Sequence, residues 1–131
     1  MGMTEPPATF GCPQCWPADP EAAWKARAGL TGVAELVDDL HFIVTILACP
    51  ACRQRFLSVL EEEVDWVDGD DPQYWSVLPL TEAEVARLLP PTAAPTAAQL
   101  NALGPGRRSL RRDYPKGDVQ RFYWAAGLSI R

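Results

Sequence analysis

The cysteines stand in two pairs of identical spacing, Cys12-Pro-Gln-Cys15 and Cys49-Pro-Ala-Cys52, and these four are all the cysteines of the 131-residue chain. Two residues between the members of a pair let one tight turn present both sulfurs to a single ion at ~2.3 Å, the arrangement a tetrahedral four-thiolate zinc site needs. Two other chemistries use the same residues. A dithiol of the thioredoxin kind wants its Cys-x-x-Cys at a helix N-terminus in a βαβ setting, but the nearby helix begins only at Asp19-Pro20, too late to lower a thiolate pKa. Four ordinary buried thiols or a chance disulfide need no further design, although cytosolic thiols normally stay reduced. Structural zinc is the reading the spacing favours. Four thiolates would fill every position of that ion, so the site would not catalyse, and its binding free energy would become folding free energy by tying the N-terminal arm to a central hairpin.

Both pairs read Cys-Pro-x-Cys, which resembles the knuckles of the zinc-ribbon and rubredoxin-like class. The resemblance covers the two four-residue knuckles and implies a Cys-ligated metal, usually zinc and in rubredoxins iron. Two features depart from it. Such knuckles commonly carry Gly after the second Cys, where a positive φ relieves the turn, whereas Trp16 and Arg53 stand there in this chain. The 33 residues between the knuckles also exceed the ~15 to 20 of the tightest pattern, so a helical insertion is expected between them.

Beyond the cysteines the candidates are surfaces. The stretch EEEVDWVDGDD holds Glu61, Glu62, Glu63, Asp65, Asp68, Asp70 and Asp71. Its Asp68-x-Asp70 start lacks the spacing and terminal Glu of an EF-hand loop, so the plain reading is a solvated hairpin end. Trp66, Tyr74 and Trp75 beside the acids favour a protein-binding surface, because aromatics ringed by charge have the look of interface anchors. A second surface is basic: Arg107, Arg108, Arg111, Arg112, Lys116 and Arg121 interleave with Tyr114, Phe122, Tyr123 and Trp124, a composition suited to phosphate contacts and base stacking. His41, the only histidine, has no nucleophile or carboxylate relay near it in sequence and reads as a strand-end residue rather than a general base. Searches for a Gly-rich phosphate loop, a Gly-x-Ser-x-Gly elbow or a His-Glu-x-x-His helix find nothing, so an enzyme is the least supported class.

The elements that must position these residues read as an α+β domain spanning 1–131. Asp19, Pro20 and Glu21 supply an N-cap, a proline at the first helical position and an early carboxylate, and Gly29 stops that helix. Val33, Leu36, Val37 and Leu40, three and four apart, predict a second short helix over 31–40. HFIVTILA at 41–48 predicts a central strand. The residues from 54 to 67 fit both periods; a strand is expected because a Cys-x-x-Cys turn between two strands makes a compact hairpin. A further strand is expected over 74–78. LTEAEVARLLPP predicts a helix with a Thr81/Glu84 capping box and a Leu80/Val85 staple. A Pro/Ala-rich connector at 90–96 follows, then a short helix from Thr96 to Leu103, a basic loop, and a final strand with Phe122 and Trp124 on one side and Tyr123 on the other. The expected fold is a small antiparallel sheet with a four-Cys zinc-ribbon-like site and short peripheral helices.

Composition sets the outer limits. An apolar content of 47% with 22% charged residues is that of a soluble globular protein. No run approaches the ~20 apolar residues of a membrane span, and the start lacks the basic and apolar regions of a signal peptide, which places the chain in the cytoplasm. The net charge of −5 hides a split: residues 1–100 hold 5 basic and 15 acidic side chains, and 101–131 hold 7 and 2. Such asymmetry speaks to partners, or to a basic tail lying on an acidic body. The favoured function is a non-enzymatic, bacterial-type, zinc-stabilised module that binds another protein through its acidic aromatic surface, as inhibitors and immunity proteins do. The alternatives are a nucleic-acid-associated zinc ribbon using the basic segment and a dithiol redox protein. Zinc is the expected ion, with iron open.

Overall fold

Six strands, β1 (Thr31–Asp39), β2 (Phe42–Ala48), β3 (Arg55–Glu62), β4 (Gln73–Leu80), β5 (Arg108–Tyr114) and β6 (Arg121–Ala126), form one antiparallel sheet in the order of the chain. The computed structural model describes residues 9–63, 67, 71–90, 93–115 and 119–131. Among the described residues three short helices accompany the sheet: α1 (Pro20–Ala26, extended by a 3-10 turn at Arg27–Gly29), α2 (Glu82–Leu88) and α3 (Ala97–Asn101). The α+β reading with a small antiparallel sheet and peripheral helices therefore holds. The connector at 90–96 runs between α2 and α3, with residues 91 and 92 outside the described ones.

Local chemistry accounts for the helices. The Asp19 carboxylate accepts from the Ala22 N–H at 2.8 Å, and Pro20 occupies the position where a missing N–H costs nothing. In α2 the Glu84 N–H donates to Thr81 Oγ1 at 3.2 Å while the Thr81 N–H donates to Glu84 at 2.8 Å, the reciprocal box expected from the sequence. Thr96 and Gln99 repeat it on α3.

Two expectations are corrected. Residues 31–39 form strand β1 rather than a helix. Its register against β2 shifts between Gly32 and Ala34 and again between Glu35 and Val37, and each bulge adds a residue. The bulges break the alternation that marks a strand, and the helical spacing of Val33, Leu36, Val37 and Leu40 is not a buried stripe, since Val33 and Leu40 are exposed while Leu36 is buried. The segment expected as a basic loop is strand β5. Its pattern is hidden because charged side chains occupy both faces, and on one of them the arginine guanidinium groups lie over aromatic rings.

The pleat divides the molecule into two cores. On one face Val44, Ile46, Leu57, Val59, Leu78 and Leu80 are covered by Val85, Leu100, Leu103, Leu128 and Ile130. Asn101 fixes the chain end there, donating to the Ile130 carbonyl at 2.9 Å and accepting from its N–H at 2.7 Å. On the other face Phe56, Val77 and Leu110 are covered by Ala23 of α1 and by Cys15 and Cys49, with Trp16, Trp24 and Trp124 closing the rim. That cluster has six buried members against twelve on the helical side. The cysteine-bearing segments therefore form a large share of what covers it.

One buried ion pair locks the helical side. Glu84, 5% exposed, meets Arg107 at 2.7 Å, and Arg107 also donates to the Pro79 carbonyl at 2.8 Å. Burial alone would raise the Glu84 carboxyl, but the Arg107 guanidinium and the Thr81 N–H hold it below the ordinary carboxylate range. A carboxyl depressed in the folded state contributes stability in full above its unfolded pKa and loses it as pH falls through the folded value. Arg107→Ala is expected to lower unfolding free energy by about 3 kcal/mol at neutral pH, because it strands a buried charge. Urea midpoints of parent and variant should converge toward acid pH, and a gap that widened there would contradict this account.

Candidate metal centre

Each knuckle is a turn closed by the same backbone bond. The Trp16 N–H donates to the Cys12 carbonyl at 2.8 Å, and the Arg53 N–H donates to the Cys49 carbonyl at 2.8 Å. The second knuckle is the turn of the β2–β3 hairpin, with Ala48 opposite Arg55 and the Cys49 N–H on the Gln54 carbonyl at 2.9 Å. The first is carried by the N-terminal arm ahead of α1. The 33-residue spacer is not simply a helical insertion: it holds α1, β1 and β2.

The glycine missing after each pair finds two different replacements. Arg53 itself takes φ +68°, the left-handed conformation a glycine would have supplied. In the first knuckle the positive φ moves ahead of the pair, to Gly11 at +70°, where a Cβ would meet the Trp16 Cβ at 2.7 Å.

All four cysteine sulfurs lie within 4.8 Å of one another. Cys12 and Cys15 are 3.6 Å apart, Cys15 and Cys52 3.7 Å, and Cys12 and Cys49 4.0 Å. Four sulfurs at tetrahedral positions ~2.3 Å from zinc would be separated by ~3.8 Å, whereas a disulfide would bring two to ~2.05 Å. The donor set fits one tetrathiolate ion, and the cysteines are unpaired by disulfides. Cys15 and Cys49 are buried, Cys12 half-buried and Cys52 exposed. The Cys15 N–H draws the Cys12 thiol down to about 7, while burial pushes the thiols of Cys15 and Cys52 up. A divalent cation resolves that conflict, since a coordinating thiol is deprotonated outright.

Two further residues hold the knuckles in place, Gln54, which the sequence did not single out, and Trp124, which it placed on the final strand. Gln54 accepts from the Gly11 N–H at 3.0 Å with its side-chain oxygen and donates to the carbonyls of Leu80 and Arg55, both at 2.8 Å. Its amide thus joins the first knuckle, the hairpin and β4. Only its place directly after the second knuckle could have hinted at this. Trp124 donates from its indole to the Ala18 carbonyl at 2.8 Å and packs edge-on against Trp16 at 5.0 Å, which fixes the arm to β6.

The acidic aromatic candidates divide. Glu61 lies opposite Tyr74, while Leu60 lies opposite Trp75, so the two aromatics project from opposite faces. Glu61 accepts from the Arg131 N–H at 3.3 Å, and Glu63 meets the Arg131 guanidinium at 3.2 Å, which also lies over the Tyr74 ring. The Glu62 carboxyl is held below its ordinary range by Gln73 at 2.8 Å and His41 at 2.9 Å, so the histidine does sit at a strand end. Trp75 is on the metal side, edge-on to Trp24 and under the Arg27 guanidinium at 4.5 Å. Asp71 is half-buried beside β4. Asp65, Trp66, Asp68 and Asp70 lie outside the described residues.

The basic candidates divide as well. Arg107 is held by Glu84, Arg111 donates to Ser109 Oγ and the Gly127 carbonyl, and Arg121 meets Asp113 at 3.4 Å. Arg108 and Arg112 project from the metal side, Arg108 over Trp124 at 3.9 Å and Arg112 over Trp24 at 5.0 Å. Lys116 lies outside the described residues. Arg27 also went unnoticed in the sequence. Burial lowers its pKa, and it donates to Ser58 Oγ at 2.9 Å between the rings of Trp24 and Trp75.

In comparisons with known proteins, no protein-family model, curated protein or solved structure matches this chain.

The φ at Arg53 can be tested directly. Relieving a left-handed residue returns about 1 kcal/mol, so Arg53→Gly should melt at or above the parent. Arg53→Ile, β-branched at positive φ, should melt clearly lower. Equal melting temperatures for the glycine and isoleucine variants would show that the second knuckle does not need this conformation.

Proposed function

We propose that the chain is a non-enzymatic binding module in which Cys12, Cys15, Cys49 and Cys52 hold one structural zinc ion. The observation that carries this reading is the set of sulfur separations, 3.6, 3.7 and 4.0 Å, clustered around the tetrahedral value. With all four positions taken by thiolate the ion has no place for water or substrate, so its contribution is to folding and not to turnover. The arm it secures carries Trp16, Ala18 and α1 onto the metal-side face of the sheet.

The module's purpose on this reading is to present that face. The acidic aromatic surface is the less favoured one, because Glu61, Glu62 and Glu63 are engaged by His41, Gln73 and Arg131, and Trp75 is turned away from Tyr74. Arg108 and Arg112 on the metal side have no such carboxylate engagement among the described residues. A dithiol role would use Cys12, the thiol with the lowered pKa, and Cys15 beside it.

Elemental analysis of the purified protein is expected to give one equivalent of zinc per chain. Cys49→Ser should lose the metal and melt at lower temperature, and a strong chelator should lower the parent's melting point in the same way. A metal-free, fully stable parent that reduces a disulfide substrate would overturn the structural-zinc reading in favour of redox chemistry.

A further inference from the structure

The basic C-terminal segment looks uniform in sequence, yet the pleat sorts its arginines by use. On the helical side Arg107, Arg111 and Arg121 spend their donors on Glu84, on Ser109 and Gly127, and on Asp113. On the metal side Arg108 and Arg112, four residues apart on β5, have no carboxylate partner among the described residues. Arg112 donates to Gln120 at 2.9 and 3.1 Å, and no hydrogen bond ties the guanidinium of exposed Arg108 to a described residue. Arg27 adds a third cation to this face without a described carboxylate.

These guanidinium groups are held by rings. The Arg108 guanidinium lies over Trp124 at 3.9 Å, with Trp16 at 5.6 Å, and the Arg112 guanidinium lies over Trp24 at 5.0 Å, with Tyr114 at 5.6 Å. A guanidinium over an indole keeps its second planar face and its N–H edge for another molecule. Both knuckle and helix contribute a ring, Trp16 and Trp24, so the array exists only while the arm is docked. A cleft of ≈ 730 Å³ adjoins it, lined by Phe10, Trp16, Pro79, Arg107 and Arg108 among others. β6, which carries Trp124, is an edge strand of the sheet.

Fixed cations that offer both a donor edge and a stacking plane suit a partner that alternates negative charge with flat rings. We propose that this face binds single-stranded nucleic acid, with the N–H edge of exposed Arg108 and the charge of Arg112 on phosphates, and bases stacked on the guanidinium and aromatic planes of the array. An acidic peptide would satisfy the charge but leave the stacking planes unused. The proposal rests on the zinc-stapled module described above.

The test uses the zinc-loaded full chain and fluorescence anisotropy with labelled twelve-nucleotide poly-U and poly-dT, alongside a labelled poly-glutamate peptide, at several salt concentrations. Binding to an oligonucleotide is expected, with log K falling against log salt by roughly 0.7 per phosphate engaged. RNA and DNA arms decide between the two sources of the strand. Arg108→Ala/Arg112→Ala should weaken binding at least tenfold, and Arg111→Ala/Arg121→Ala, equal in charge but on the other face, less than twofold. Arg108→Lys/Arg112→Lys keeps the charge and loses the plane, so it should keep most of the salt slope and lose affinity. Circular dichroism and zinc content accompany each variant, and a double alanine variant that lost fold or metal would be replaced by the lysine pair. Three results would overturn the proposal: no oligonucleotide binding by parent protein carrying one zinc, equal loss from both alanine pairs, or tighter binding of poly-glutamate. The first leaves the metal reading standing, whereas a parent without metal would sink that reading by itself.

Discussion

Convergence of four sulfurs from two distant turns is the constraint on which the rest of this structure depends. The first knuckle belongs to an arm that precedes α1, the second to the tip of the β2–β3 hairpin, and their sulfurs all lie within 4.8 Å. Hydrogen bonds from Gln54 and Trp124 assist, but each is worth only about 1 kcal/mol net, far less than the ~10–16 kcal/mol that a structural zinc ion can add to folding. Without the ion, Cys15 and Cys49 would be buried thiols in a cluster with few large aliphatic members.

Everything on the metal-side face follows from where that arm is held. Trp16 docks on Phe56 and Trp124, with ring centroids at 5.2 and 5.0 Å, and Trp24 docks on Trp75 at 5.3 Å. Those rings in turn carry the guanidinium groups of Arg27, Arg108 and Arg112. The opposite face solves its electrostatics internally, through Glu84 with Arg107 and Asp113 with Arg121. The charge split visible along the chain is thus partly a basic tail neutralised by the body and partly a set of arginines with no carboxylate partner among the described residues.

The four-cysteine cluster was legible from residue types and spacing alone, because Cys-x-x-Cys geometry is local and two such pairs leave few other arrangements. The Thr81/Glu84 capping box and the hairpin around the second knuckle were legible for the same reason. β1 was not, since its two bulges break the alternation on which strand recognition relies. β5 was not, since Arg108, Arg111 and Arg112 read as solvent-facing while their guanidinium groups in fact lie over rings or donate to neighbours. Gln54 and Arg27 act across 43 and 31 residues, a long-range pairing no local pattern announces. Within the acidic aromatic stretch, one residue of register separates Tyr74 from Trp75 and sends them to opposite faces.

The central claim is that these four thiolates enclose one ion and leave it no other ligand. X-ray absorption at the zinc edge of the purified protein tests it most directly. The account predicts a single shell of four sulfur scatterers at ~2.3 Å with no nitrogen or oxygen neighbour. A shell containing light-atom ligands, or fewer than four sulfurs, would contradict it.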